Sequence, residues 1–437
     1  MKKQILILIA LLLLCALSLC ACGKKQQASG SSALPTPPSA AESTPTPETE
    51  EKPAEYNTIA AADKSERKRV RQELLDVAEG CTAIYAEADK GSALNVVLSN
   101  SSLYAMVEHI GSTGRAAVDS LGTWDMEGSA ALLDFCEEIY LGQDCEGTYY
   151  TVYPDGQISA FHLARKNGEW HLVTMTAVWD KNSSPSVVSE GQYQISDVKY
   201  TDKGWLIYDR NFDSFDDNQR SNSNSYVFVR VTPCDSTKRA LCRKYIEPIG
   251  YFENNLFTTT WNQFDPSPID FNSLYAYLFA MYHGTETLSS YNVRNYYSAV
   301  SGTNLYVIPT ASFEEVVQYY FDINSASLRN ISDYSRSAGG YFFLGYQNGY
   351  YDVTPRTPEP EVVDYWYNSD GSVTMRVDAV NKWYGTDRAF THEVTVYEYD
   401  NGRIKYISNK LYESDENILP ENKLSYLLDI ERDKTQY

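Results

Sequence analysis

Three arrangements of apolar side chains run along this chain, and each predicts a different kind of element. Over residues 65–88, Val70, Leu74, Val77, Cys81, Ile84 and Ala88 recur at three- and four-residue intervals, with Arg67, Lys68, Arg71 and Glu79 on the opposite side. That spacing predicts an amphipathic helix. Shorter helices are expected over Ser102–His109 and Ser129–Tyr140. The period then drops to two. Thr148–Tyr153, Gln157–Arg165 and Glu169–Trp179 alternate, separated by Pro154-Asp155-Gly156 and Asn167-Gly168. Asn-Gly favours a type I′ turn, whose two central residues both need positive φ, so these segments form a three-stranded meander. Two more strands flank Asp202-Lys203-Gly204, and Tyr226–Val231 adds another.

Further along, helices are expected over 236–246 and Phe271–Tyr282, with irregular, aromatic-rich chain at 247–262. A polar stretch at 284–304 reads as a join. Beyond it, Thr310 or Ser312 caps a helix over Phe313–Phe321, and a short helix follows near Ser327–Ile331. Strands are then expected at 341–345, 361–367, 372–380, 390–399 and 403–409. The fold class is therefore α+β, with helices packed on antiparallel meander sheets. The expected organisation is a domain over 58–283, a second over 304–420 and a tail at 421–437.

The third arrangement is an unbroken apolar run, Ile5–Leu14, preceded by Lys2-Lys3 and followed by Leu19-Cys20-Ala21-Cys22-Gly23. It is too short to span a bilayer, which needs roughly 20 apolar residues, and has the layout of a secretory signal. The cleavage site resembles a bacterial lipobox. Residues 1–21 are then the signal peptide, Cys22 is the acylated residue, and the protein is held at the extracytoplasmic face of the cell membrane by lipid. Residues 22–57 have few large apolar side chains and carry Pro35, Pro37, Pro38, Pro45, Pro47 and Pro53. Such a segment cannot offset the entropy of ordering and serves as a tether with a reach on the order of 100 Å.

Charge narrows the partners. The chain carries a formal −21, which excludes nucleic acid as a ligand and disfavours anionic surfaces. The partner implied is the membrane, through the N-terminal lipid anchor, together with a cell-envelope protein or glycan. Five cysteines follow Cys22: Cys81, Cys136, Cys145, Cys234 and Cys242. An odd number leaves at least one outside any intramolecular disulfide. Cys136/Cys145 and Cys234/Cys242 are spaced to close short loops, and read equally well as small buried side chains.

The segments IPTASFEEVVQYYFDI (308–323), EVVDYWYNSDGSVTMRVDAV (361–380), YGTDRAFTHEVTV (384–396) and IKYISNK (404–410) resemble a family of uncharacterised lipoproteins from Gram-positive bacteria. RKYIEPIGYFENNLFTTTW (243–261) and AAVDSLGTWDMEGSAALLDFC (116–136) fit the same pattern. The resemblance implies a surface lipoprotein and brings no catalytic residues with it.

Candidate chemistry is sparse. His392 and Glu393 point to opposite faces of a strand, so they cannot act as one couple, and His392 reads as a core or edge histidine. Across the Asn167-Gly168 turn, Ala164 faces His171 and His162 faces Val173. The two histidines are diagonal neighbours that could begin a metal site, but spacing offers no third ligand. Asp209, Asn211, Asp213, Asp216 and Asp217 resemble part of a calcium loop, with Ser214 in place of the turn glycine and Arg220 in place of the closing glutamate. No nucleophile elbow or phosphate-cradling loop occurs. No metal, cofactor or catalytic residue is assigned. Trp205, Trp261, Trp366 and Trp383 are the ligand-binding candidates, as aromatic platforms for sugar rings. The reading that results is a non-catalytic surface protein with an envelope-interaction role. A solute- or glycan-binding lipoprotein comes next, and an extracellular hydrolase last.

Overall fold

The computed structural model describes residues 62–420, apart from 89–97, 123–124, 181–182, 211–224, 285–287, 289–291, 298–303 and 344–355. The signal, the lipobox, the tether, the tail and most of the calcium-like loop lie outside the described residues.

In chain order the elements are α1 (Lys64–Glu87), α2 (Asn100–Ser112), β1 (Ala116–Asp119), α3 (Ala130–Leu141), β2 (Cys145–Val152), β3 (Ile158–Lys166), β4 (Glu169–Trp179), β5 (Pro185–Gln194), β6 (Ser196–Tyr200), β7 (Trp205–Asp209) and β8 (Tyr226–Arg230). They continue as α4 (Ser236–Tyr245), β9 (Trp261–Asn262), α5 (Phe271–Tyr282), β10 (Arg294–Tyr297), β11 (Asn304–Pro309), α6 (Thr310–Tyr320), α7 (Ser325–Ile331), β12 (Tyr334–Ser335), β13 (Gly340–Phe343), β14 (Glu359–Tyr367), β15 (Val373–Val380), β16 (Thr391–Glu398) and β17 (Ile404–Leu411). Antiparallel pairing dominates, and the fold is α+β.

The first sheet runs β1-β2-β3-β4-β5. Its meander has the expected register, with Ala164 opposite His171 and His162 opposite Val173. Asn167 and Gly168 take φ of 53° and 83°, the left-handed pair that a type I′ turn requires. Two strands extend the meander beyond the sequence expectation. β5 lies along β4, and β1 adds to β2 in parallel, a pairing that needs the intervening helix α3. Helices α1 and α2 bury Val70, Leu74, Val77, Cys81, Leu103, Met106 and Val107 on one face of this sheet. Helix α3 buries Leu132, Phe135 and Cys136 in a separate cluster that continues into the small sheet β6-β7-β8.

A third cluster joins Leu241, Tyr245, Phe257, Trp261, Phe271 and Leu274 to Phe313, Val317, Met375, Val377, Val394 and Tyr406. This core runs across the 284–304 stretch that the sequence suggests as a join. The change from one body of core to the next falls between Val231 and Leu241, because α5 packs on α6: the rings of Tyr275 and Phe313 stack at 4.8 Å. The last sheet runs β14-β15-β16-β17-β9. Pro309 occupies the N-cap position of α6 and no side chain caps that end, so neither Thr310 nor Ser312 has the capping role expected of it. The other end of α6 is tied instead. Lys405 donates to the carbonyls of Gln318 (2.8 Å) and Phe321 (2.6 Å), and Arg403 to those of Gln318 and Tyr319. Cations here face the negative end of the helix dipole.

Among the described residues no helix is long and apolar enough to cross a membrane. All five cysteines after Cys22 are unpaired, so neither Cys136/Cys145 nor Cys234/Cys242 closes a loop. Burial pushes the Cys81, Cys136 and Cys242 thiols up to about 12 and Cys145 to about 11, which keeps them inert.

His392 is a core residue. It is completely buried, its Nε2 accepts from the Tyr251 hydroxyl (2.9 Å) and its Nδ1 donates to Asn409 Oδ1 (2.7 Å). The network assigns this tautomer, since the Asn409 amide nitrogen already donates to Thr259 O. Burial disfavours the imidazolium and lowers the pKa to about 4, against weaker opposition from Asn409 and Asp378. The folded value lies below the ordinary 6.5, so the stabilisation is complete above pH 6.5 and is lost as pH falls toward 4. The expected loss is about 3 kcal/mol. Urea midpoints at pH 7 and pH 4.5 measure it, and His392→Gln should flatten the difference. An unchanged pH profile in the variant would remove His392 as its cause.

Candidate functional site

A cleft of about 700 Å³ opens in the described part of the molecule. It is bounded by the outer side of the first sheet (Tyr149, Thr151, Phe161), by β7 and β8, by α4 and by the edge strand β14. Two bodies of hydrophobic core therefore meet across it. Six Arg or Lys and five Asp or Glu side chains line it, which makes it a polar groove. Sites between packed bodies with convergent polar groups are where small ligands usually bind.

Trp205 anchors one wall. Its indole Nε1 donates to Glu361 Oε2 at 3.0 Å, and Arg230 Nη2 donates to Glu361 Oε1 at 2.5 Å. The Arg230 guanidinium lies 4.4 Å from the Trp205 ring centroid, and Phe228 meets the ring edge-on at 5.8 Å. Both Glu361 oxygens are thus engaged, and the tryptophan, arginine and carboxylate hold one another in place. Two more ion pairs, Arg239 with Asp125 and Lys382 with Glu359, stand at the rim. Tyr149, which lines the cleft, shares a hydroxyl–hydroxyl hydrogen bond of 2.8 Å with the buried Tyr208 behind it, and burial drives both phenols to higher pKa.

The four tryptophan candidates do not converge. Trp205 alone lines the cleft. Trp261 is buried in the C-terminal core, with its indole donating to Leu256 O at 2.7 Å; at 3 % exposure it is closed to a ligand. It pairs onto β17 as part of β9, a two-residue strand without alternation, so its burial had no local signal. Trp366 is exposed on β14, and Trp383 sits in the short 3₁₀ turn Lys382–Tyr384 beneath the Arg356 guanidinium.

His162 and His171 meet a third group from far away in the chain. Glu66 Oε1 accepts from His162 Nε2 at 3.1 Å and from His171 Nε2 at 2.7 Å, while Lys166 Nζ binds Glu66 Oε2. Glu66 stands in the first turn of α1, placed there by Asp63, whose carboxylate accepts from the Glu66 N–H at 2.8 Å. Thr148 Oγ1 lies 2.8 Å from His162 Nδ1 and completes that ring. Burial lowers the His162 pKa, with Glu146 and Glu66 opposing. Burial alone would raise the Glu66 pKa, but hydrogen bonds from Lys166 and His171 outweigh it and the net shift is downward. A metal does not fit here, because the Lys166 ammonium already holds the position a cation would take. Among the described residues no group of three or more His, Cys, Asp or Glu is arranged to hold a metal ion.

Among the described residues, the carboxylates whose pKa the surroundings displace are Asp63, Glu66, Asp144, Glu314, Asp370, Asp378 and Glu398, and all of them move down. Cations and N–H or O–H donors hold them ionised. None of the seven is set up as a general acid, which would need a raised value.

A two-core α+β body with a cleft lined by charged side chains between its cores is the class of molecule these observations define. The chain belongs to the family of unknown function DUF6070, whose profile matches residues 67–424. No curated protein and no solved structure matches it.

Proposed function

We propose that this chain is a lipid-anchored extracytoplasmic protein, non-catalytic, whose folded body takes a polar small solute into the cleft beside Trp205. The cleft itself carries the reading. It has the volume of a small-ligand site and a preorganised Trp205–Arg230–Glu361 corner offering an aromatic face beside fixed hydrogen-bonding groups. The lipobox at Leu19–Cys22 and the proline-spaced tether support attachment at the outer face of the membrane.

Each half of the reading has its own test. Cys22→Ala is expected to move the protein from the membrane fraction into the medium, followed by immunoblot of fractionated cells; continued retention refutes the lipid anchor. For the cleft, native mass spectrometry of protein purified from its own cells is expected to show a bound small molecule, lost in Glu361→Ala. A bare protein mass in the wild type speaks against a solute receptor.

A further inference from the structure

The outer face of the last sheet is built unlike its inner one. The inner side chains Met375, Val377, Val394 and Val396 fill the core. Outward, Arg376 of β15 donates through Nε (3.1 Å) and Nη2 (2.9 Å) to Glu393 of β16, directly opposite in register. The same guanidinium lies 5.9 Å from the ring centroids of both Trp366 and Tyr412, so one cation braces two aromatic rings. Each of these residues is 37 % exposed. Next to the Arg376–Glu393 row runs a row of uncharged groups, in which Trp366, Thr374, Thr395 and Ser408 are aligned across β14 to β17. The Thr374 and Thr395 hydroxyls are 2.9 Å apart, and Asn368 donates to Thr374. Beside Arg376 the surface sinks into a depression of about 440 Å³ that includes Asp364, Asp378, Arg388 and Thr391.

We propose that this face is a binding platform for a neutral polysaccharide, distinct from the cleft. Trp366 and Tyr412 stack on sugar rings, and the depression takes up hydroxyl groups. Charge selects the occupant. On a chain of formal charge −21 this face is balanced: Asp364, Arg376, Glu393 and Lys410 alternate in sign along one row across β14 to β17, while Asp378 and Asp387 neutralise Lys203 and Arg388. It therefore draws neither a polyanion nor a polycation. A sugar hydroxyl both donates and accepts, and the depression supplies both roles through the exposed Asp364 carboxylate and the half-exposed Arg388 guanidinium. Braced Trp and Tyr rings offer wide amphipathic contact with little rotamer entropy left to lose.

Native electrophoresis of the full-length protein through gels cast with hydroxyethylcellulose, glucomannan or soluble starch tests this. Retardation is expected in at least one of the three, relative to a gel without polysaccharide. Trp366→Ala and Tyr412→Ala are each expected to weaken the apparent affinity about tenfold. Tyr140→Ala, an exposed aromatic on α3, is expected to bind as the wild type does. The two platform variants are independent, so one that misfolds leaves the other to decide. Unretarded migration in all three gels, the result for a face reserved for a protein partner, overturns the proposal. So does retardation that both platform variants retain.

Discussion

Replacing Glu66 by alanine is expected to cost about 3–5 kcal/mol of folding stability. Glu66 is buried at 4 % exposure and is the common acceptor for His162, His171 and Lys166. His162 and His171 are buried too, so neither can turn to water once the carboxylate is gone. His171 suffers most, because its Nδ1 already has no partner and the variant leaves both ring nitrogens unmatched. Glu66→Gln keeps the volume and one acceptor oxygen, and its loss should be smaller. Urea unfolding at pH 7 measures both; a loss below about 1 kcal/mol in the alanine variant would show that the network does not hold α1 to the sheet. The pH dependence has a definite sign. The folded pKa of Glu66 lies below its ordinary 4.5, so this stabilisation is present above that value and disappears as pH falls through the folded pKa.

Asp378→Ala should be comparably damaging, about 3–5 kcal/mol, and for a different reason. Asp378 is almost fully buried and accepts from Thr391 Oγ1 at 2.7 Å, Arg388 Nε at 3.0 Å and Lys203 Nζ at 3.1 Å. Lys203 comes from the β6–β7 turn, so this cluster fastens the first body of core to the second. The turn is specified closely. Gly204 has φ +84°, and a Cβ there would lie 2.5 Å from that of Thr232. With Asp378 gone, Lys203, at 9 % side-chain exposure, loses its nearer counter-charge and keeps only Asp387 at 3.6 Å, while Arg388, at 56 %, turns to solvent. Adding Lys203→Met to Asp378→Ala should recover part of the loss, since the stranded charge goes with it. Denaturation of the two single variants and the double supplies the coupling. If the two single losses simply add up to that of the double, the ion pair is not what joins the bodies.

Local signals carried far in this chain. The Asn167-Gly168 turn alone set the register that makes His162 and His171 neighbours, and alternation in Val373, Met375, Val377 and Ala379 identified the inner face of β15. Their shared partner Glu66 was not legible, because nothing in a hairpin points to a helix about a hundred residues upstream. The Asp63-x-x-Glu66 pattern, an N-cap followed by an acid in the first turn, was the available cue to where Glu66 would stand. The cleft was invisible for the same reason. Trp205, Arg230 and Glu361 come from three strands in two sheets, and only long-range packing brings them together. β1 escaped notice because four residues joining in parallel leave no hairpin signal.

The buried thiols have a practical use. Cys81, Cys136 and Cys242 each lie in a different hydrophobic cluster and are at most 3 % exposed. An alkylating reagent can reach each only when its own cluster opens, so the labelling rate at one sulfur times the breathing of that part of the molecule. Nature has distributed three internal stopwatches through the body, and mass spectrometry of the tagged peptides would rank the order in which it comes apart.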